Sequence, residues 1–123
     1  TGQKAQSDVA YFETGKMGTD GWQGNWISDW NNIHHHAAPY FRKQFSVDKP
    51  VRSARIYVAV GGLYQLHLNG KRLGDTMLDP VYTRFDRRNM YVTYDVTDAI
   101  QQQENVVGIV LGNGWYNHQP LRP

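Results

Sequence analysis

Cysteine is absent from this chain, so neither disulfides nor thiolate metal sites contribute to its stability or chemistry. That absence leaves the cellular compartment open. Glutamate is almost absent as well, occurring only as Glu13 and Glu104, while the 123 residues include 12 glycines and 13% aromatics. This balance disfavours long amphipathic helices and favours strands joined by tight turns. No run of about 18 apolar residues exists, which excludes a helical membrane span, and the opening Thr1-Gly2-Gln3-Lys4 lacks the apolar core of a signal peptide. An export signal is expected, if anywhere, upstream. Charge of one sign is not concentrated either: 13 Lys and Arg are scattered among 11 Asp and Glu, for a formal net charge of +2, which gives no argument for a nucleic-acid partner. The length suits one domain with a real core, too short for a sandwich plus a catalytic barrel.

What is present is alternation. Phe41, Lys43, Phe45 and Val47 alternate with Arg42, Gln44 and Ser46 until Asp48-Lys49-Pro50 breaks the run. Ala54, Ile56, Val58 and Val60 form a second apolar row, Gly61-Gly62 bends the chain, and Tyr64, Leu66 and Leu68 form a third. Asn69-Gly70 is a strong two-residue hairpin signal, because a type I′ turn needs positive φ at both central positions. It predicts an antiparallel return over Lys71 to Gly74. Met90, Val92, Tyr94 and Val96 make another face, after which Thr97 or Asp98 is placed to cap a single helical turn running to Gln101–Gln103. Val106 to Leu111 is apolar on both faces, the pattern of a strand with neighbours on either side. The first 37 residues show no such period, and Trp22, Trp26 and Trp30, spaced by four, share one face of either a helix or a strand; Gly24 and Ile27 favour the extended form. These features predict an all-β chain: an antiparallel β-sandwich of jelly-roll or galactose-binding-like kind over residues 38–123, preceded by an irregular lead-in over 1–37.

Several segments, in order, resemble the N-terminal β-sandwich of bacterial α-L-rhamnosidases of the glycoside hydrolase family 78 type. They are Tyr11-Phe12-Glu13-Thr14-Gly15, Trp26-Ile27, Phe41-Arg42-Lys43-Gln44-Phe45, Ala54-Arg55-Ile56-Tyr57-Val58, Gly62-Leu63-Tyr64, Asn69 to Gly74, Tyr82-Thr83-Arg84-Phe85-Asp86 and Gly112-Asn113-Gly114-Trp115-Tyr116. The resemblance implies a parent enzyme that removes terminal α-linked L-rhamnose with inversion, using carboxylates on a separate (α/α)6 barrel of the same chain. It also implies a lead-in arriving from a preceding domain, a sandwich incomplete at its C-terminal end, and a bacterial protein of the periplasm or the exterior, with the cytoplasm as the open alternative. Inversion needs an acid and a base roughly 6.5–9.5 Å apart with water between them, and no pair of carboxylates here stands out for that role. No catalytic residue and no cofactor is assigned. The chain is expected to brace the barrel and to contact a rhamnose-containing glycan. The alternatives are a stand-alone carbohydrate-binding module and a protein-interaction domain.

Two groups are candidates for that contact. Trp115 and Tyr116 follow two glycines and offer an apolar platform to a sugar face, with Asn113 able to donate to and accept from hydroxyls; the competing role is packing against the core or the barrel, which the area of buried aromatics favours. Arg84, Asp86, Arg87 and Arg88 could hold hydroxyl or carboxylate groups, such as those of acidic pectin fragments, against the competing role of an internal Arg–Asp pair bracing a long connection. Packing is also the favoured role of the lead-in tryptophans. His34-His35-His36 places two imidazoles on one side of an extended segment, with Asp29 or His118 as further donors, but nothing supplies the ligand set of a structural zinc site, and no aspartate cluster marks a calcium site. No metal is assigned.

Overall fold

The computed structural model describes residues 2–16, 18, 21–29 and 38–116. The chain runs β1 (Tyr40–Val47), β2 (Arg55–Ala59), β3 (Leu63–Leu68), β4 (Lys71–Arg72), β5 (Tyr91–Asp95) and β6 (Gln103–Gly112). All pairings are antiparallel. The strands form a four-stranded sheet in the order β1-β6-β3-β4 and a two-stranded sheet of β2 and β5. No helix occurs among the described residues.

Residues directly opposite in an antiparallel pair share a face, so the register says which side chains meet. On β6, Val107 lies opposite Lys43 and Leu68, Ile109 opposite Phe41 and Leu66, and Leu111 opposite Tyr64. In the small sheet Ile56 faces Tyr94 and Val58 faces Val92. These rows meet between the layers: Val60, Tyr64 and Leu66 are buried there, with Ile56, Val58, Leu73, Val92, Tyr94, Val107, Ile109 and Leu111 packed around them. Each well-buried side chain contributes roughly 1.5–3 kcal/mol of transfer free energy. The Tyr64 and Tyr94 hydroxyls, one from each sheet, hydrogen-bond across the core at 3.0 Å. The doubly apolar strand is central, as its sequence requires.

Local chemistry sets the connections. Asn69 and Gly70 have φ of 51° and 80°, which is the hairpin that their identities predict. The return is shorter than expected: only Lys71 and Arg72 pair, Leu73 N–H still donates to Leu66 O at 2.8 Å, and Gly74 at φ 73° turns away. After β5 the chain forms a turn over Thr97–Ala99, with Ala99 and Ile100 N–H both donating to Val96 O, in place of the expected helical turn. Its cap is Asp95, whose Oδ1 accepts from the Thr97 N–H and hydroxyl. Thr97 and Asp98 do not serve as the cap: the Thr97 hydroxyl accepts from the Ala54 N–H and donates to Asp95, and the Asn105 amide takes both the N–H and the carbonyl of Gln101.

The described lead-in residues contain no strand, in keeping with the irregular lead-in that the sequence predicts. Glu13, Gly15, Lys16 and Trp22 among them meet the outer face of the small sheet. Glu13 accepts from the Tyr57 hydroxyl at 2.5 Å and pairs with Arg55 at 3.1 Å, and Arg55 also reaches Asp95 at 2.8 Å. Lys16 N–H donates to the Tyr91 hydroxyl at 2.6 Å, while its ammonium sits over the rings of Tyr57 and Trp22 at 4.5 and 5.6 Å. Trp22 meets Tyr91 edge-on, whereas Trp26 is exposed, so the four-residue spacing does not give these two a shared face. Trp30 lies outside the described residues.

Candidate functional site

At the β3 entrance and the β6 exit, two glycine-bearing segments run against each other. Gly62 has φ of 113°, and a Cβ there would stand 2.8 Å from Gly112 O and 3.1 Å from Asn113 O. Gly61 supports the Tyr116 ring so closely that a Cβ would come within 2.9 Å of it. Only glycine allows this approach. The chain therefore leaves β6 with Trp115 and Tyr116 laid over the end of the sandwich.

The long connection between β4 and β5 reaches the same end. Its start is tied down by Asp79 O, which accepts from Tyr64 N–H, and by the Thr76 hydroxyl against Asp79 Oδ2, with Pro80 buried beneath. A tight turn follows in which Arg87 and Arg88 N–H both donate to Arg84 O and the Thr83 hydroxyl donates to Arg88 O. This turn presents Phe85 to Tyr116, ring centroids 5.3 Å apart and nearly perpendicular. Tyr82 completes the group, 5.7 Å from Phe85 and 6.3 Å from Trp115, both edge-on. Edge-to-face geometry suits the ring quadrupoles.

Two stretches that the sequence offers as separate candidates, 84–86 and 113–116, thus form one surface. Phe85 is half-buried, while Tyr82, Trp115 and Tyr116 remain 65%, 67% and 63% exposed. Met77, Leu78 and Val81 on the same connection are exposed too. Asn113 is half-buried, its carbonyl set against Gly62. Arg84 Nε pairs with Asp86 at 2.8 and 3.1 Å, the internal Arg–Asp pair that braces this long connection. Arg87 and Arg88 are exposed and make no side-chain hydrogen bond or ion pair among the described residues. Tyr82 and Phe85 join the site only through the fold. Their signal was available only as aromatics flanking the charged loop.

The two carboxylates whose protonation the fold shifts lie elsewhere. The Tyr57 hydroxyl, and then Arg55, holds Glu13 below the usual carboxylate range, and the Thr97 N–H and hydroxyl, with Arg55, do the same for Asp95. A general acid needs the opposite shift. At the other end of β3 an open groove of about 440 Å3 is lined by Leu68, Asn69, Lys71, Asp95, Asp98, Ala99 and Gln101. No group of three His, Cys, Asp or Glu able to hold a metal occurs among the described residues, and His34, His35, His36 and His118 lie outside them.

Residues 49–122 match the family model described as the alpha-L-rhamnosidase N-terminal domain. An alpha-L-rhamnosidase of Formosa agariphila is 32% identical over 132 residues, an alignment covering 89% of this chain and 14% of that protein. Among solved structures, the alpha-L-rhamnosidase from Dictyoglumus thermophilum superposes with a TM-score of 0.63 at 48% identity, covering 65% of this chain and 9% of that one. The Streptomyces avermitilis alpha-L-rhamnosidase, complexed with L-rhamnose, gives a TM-score of 0.62 at 40% identity over 66% of this chain and 8% of its own. The chain therefore spans about one seventh, or less, of the length of these relatives.

Proposed function

The chain belongs to the family of alpha-L-rhamnosidase N-terminal domains, and on that premise we propose that it is the non-catalytic accessory sandwich of a glycoside hydrolase acting on terminal α-linked L-rhamnose. It braces the catalytic (α/α)6 barrel domain of the same parent chain and borders the path of a rhamnose-containing glycan. The parent works in the periplasm or outside a bacterial cell.

The observation that carries this reading is the exposed aromatic edge of Tyr82, Trp115 and Tyr116, held together with Phe85 at one end of the strands. Aromatic rings left in water at a glycine-fixed position suit a surface that another body covers, either a protein face or a sugar face. The carboxylates held by Tyr57, Arg55 and Thr97 are committed to the outer face of the small sheet, which supports a non-catalytic role.

The test is addition in trans. The parent prepared without these residues is expected to lose thermal stability and to recover part of it when the 123-residue chain is added. Trp115→Ala with Tyr82→Ala is expected to abolish the recovery. A parent remainder that is equally stable with and without the chain would overturn the bracing role.

A further inference from the structure

The aromatic edge combines exposed rings with two arginines whose side chains make no hydrogen bond or ion pair among the described residues. Tyr82, Phe85, Trp115 and Tyr116 are in contact as a group, and the turn that supplies Phe85 also carries Arg84, Asp86, Arg87 and Arg88. Asp86 is taken by Arg84, which leaves Arg87 and Arg88 as the charges of that turn without an ion pair among the described residues. Asp79, on the earlier limb of the connection, is engaged by the Thr76 hydroxyl. The hydroxyls of a neutral ligand would accept ordinary hydrogen bonds from these two guanidinium groups but leave their charge uncompensated. An acidic one would gain charge-assisted, fork-shaped hydrogen bonds from them, while its apolar ring face rests on an exposed aromatic.

We propose that this edge binds an anionic glycan, with a sugar ring stacked on Trp115 or Tyr82 and a carboxylate or sulfate ester held by Arg87 and Arg88. The site deepens the reading above, since it assumes that the chain works beside a glycan. It names the class of sugar: a uronate or a sulfated unit adjoining the rhamnoside. Carboxylate and sulfate share the planar or trigonal oxygen array that guanidinium matches, so the structure assigns the charge and the choice of oxyacid falls to the experiment.

Isothermal titration calorimetry of the 123-residue chain with digalacturonic acid, its neutral methyl ester and a sulfated galactose decides it. The acid or the sulfated sugar should bind saturably and about tenfold more tightly than the ester, the effect of one charged hydrogen bond. Whichever of the two binds more tightly identifies the oxyacid. Raising salt from about 0.05 to about 0.5 M should weaken binding, since the arginines are exposed. Arg87→Gln with Arg88→Gln should remove the preference without moving the melting temperature, and Trp115→Ala should weaken acid and ester alike. Equal binding of acid and ester would overturn the anionic site while leaving glycan contact in place. Binding of citrate as tight as that of the acid, indifferent to Trp115→Ala, would reduce the edge to a generic cationic patch and also overturn it. No heat with any sugar, together with capture of the parent's remainder, would reassign the edge to protein docking.

Discussion

Asn69 and Asn105 lock the hairpin to the central strand: Asn69 Nδ2 donates to Asn105 Oδ1 at 2.9 Å, while Asn69 Oδ1 accepts from the Val106 N–H at 2.8 Å. Asn105 is fully buried, and its amide also accepts from Gln101 N–H and donates to Gln101 O and Gln103 O. One side chain thus satisfies the backbone of the bend before β6 and the turn residue of the β3–β4 hairpin. Asn105→Ala is expected to lower stability by about 3 kcal/mol, because several buried polar groups lose their partners together. Urea unfolding measures it, and a loss below about 1 kcal/mol would mean that water replaces the amide.

The glycines at the aromatic end should separate fold from surface. Gly62→Ala combines a positive φ with a backbone carbonyl 2.8 Å from the new methyl, and should cost about 2 kcal/mol or more. Gly61→Ala meets only the Tyr116 ring, which can swing away. Its melting temperature should fall less, while near-ultraviolet circular dichroism records the broken contact between Tyr116 and Phe85.

Acid should release the lead-in. Glu13 and Asp95 are held below their ordinary values of 4.5 and 3.8, chiefly by the Tyr57 hydroxyl for the first and by Thr97 for the second. A carboxylate depressed in the folded state stabilises fully above its unfolded pKa and loses that contribution as pH falls through the folded one. Tryptophan fluorescence from Trp22 should therefore change as pH drops below about 4, before global unfolding, and the step should vanish in Glu13→Gln. A step that persists in this variant would place the acid-sensitive group elsewhere.

At the alkaline end, burial and the Tyr94 hydroxyl push the Tyr64 phenol far above the ordinary value of 10.0. Its neutral form is favoured by the fold, so this contribution is complete below the unfolded pKa and is lost only as pH rises towards the folded one. Spectrophotometric titration should show one tyrosine that ionises only on alkaline unfolding. Tyr64→Phe should remove that tyrosine and cost about 1 kcal/mol, the worth of one hydrogen bond.

Leu68 is 1% exposed and seals the end of the core beside the groove, so Leu68→Ala should cost about 3 kcal/mol by leaving a cavity. Trp115→Ala at the other end removes a mostly exposed ring and should change stability by less than about 0.5 kcal/mol. Equal costs for the two would contradict the burial that distinguishes them.

Much of the fold was legible because its signals are local. Period-two alternation marks β1, β2, β3 and β5, Asn69-Gly70 supplies the positive φ of its turn, and the doubly apolar Val106–Leu111 announces a strand paired on both sides. The expected cap at Thr97 or Asp98 failed because Ala54 and Asp95 engage the Thr97 hydroxyl and Asn105, acting from across a bend, takes the Gln101 N–H.

The sequence by itself determined an all-β chain, its strands and its hairpin, since backbone propensity and side-chain period are decided within a few residues. Tertiary structure alone decided which distant segments share a surface. Phe85 meets Tyr116, and Glu13 meets Arg55 and Tyr57, only because burial of the apolar rows between two layers brings those backbones together. Pairing across tens of residues is selected by the core and by glycines that allow close approach, and no window of the sequence contains both partners.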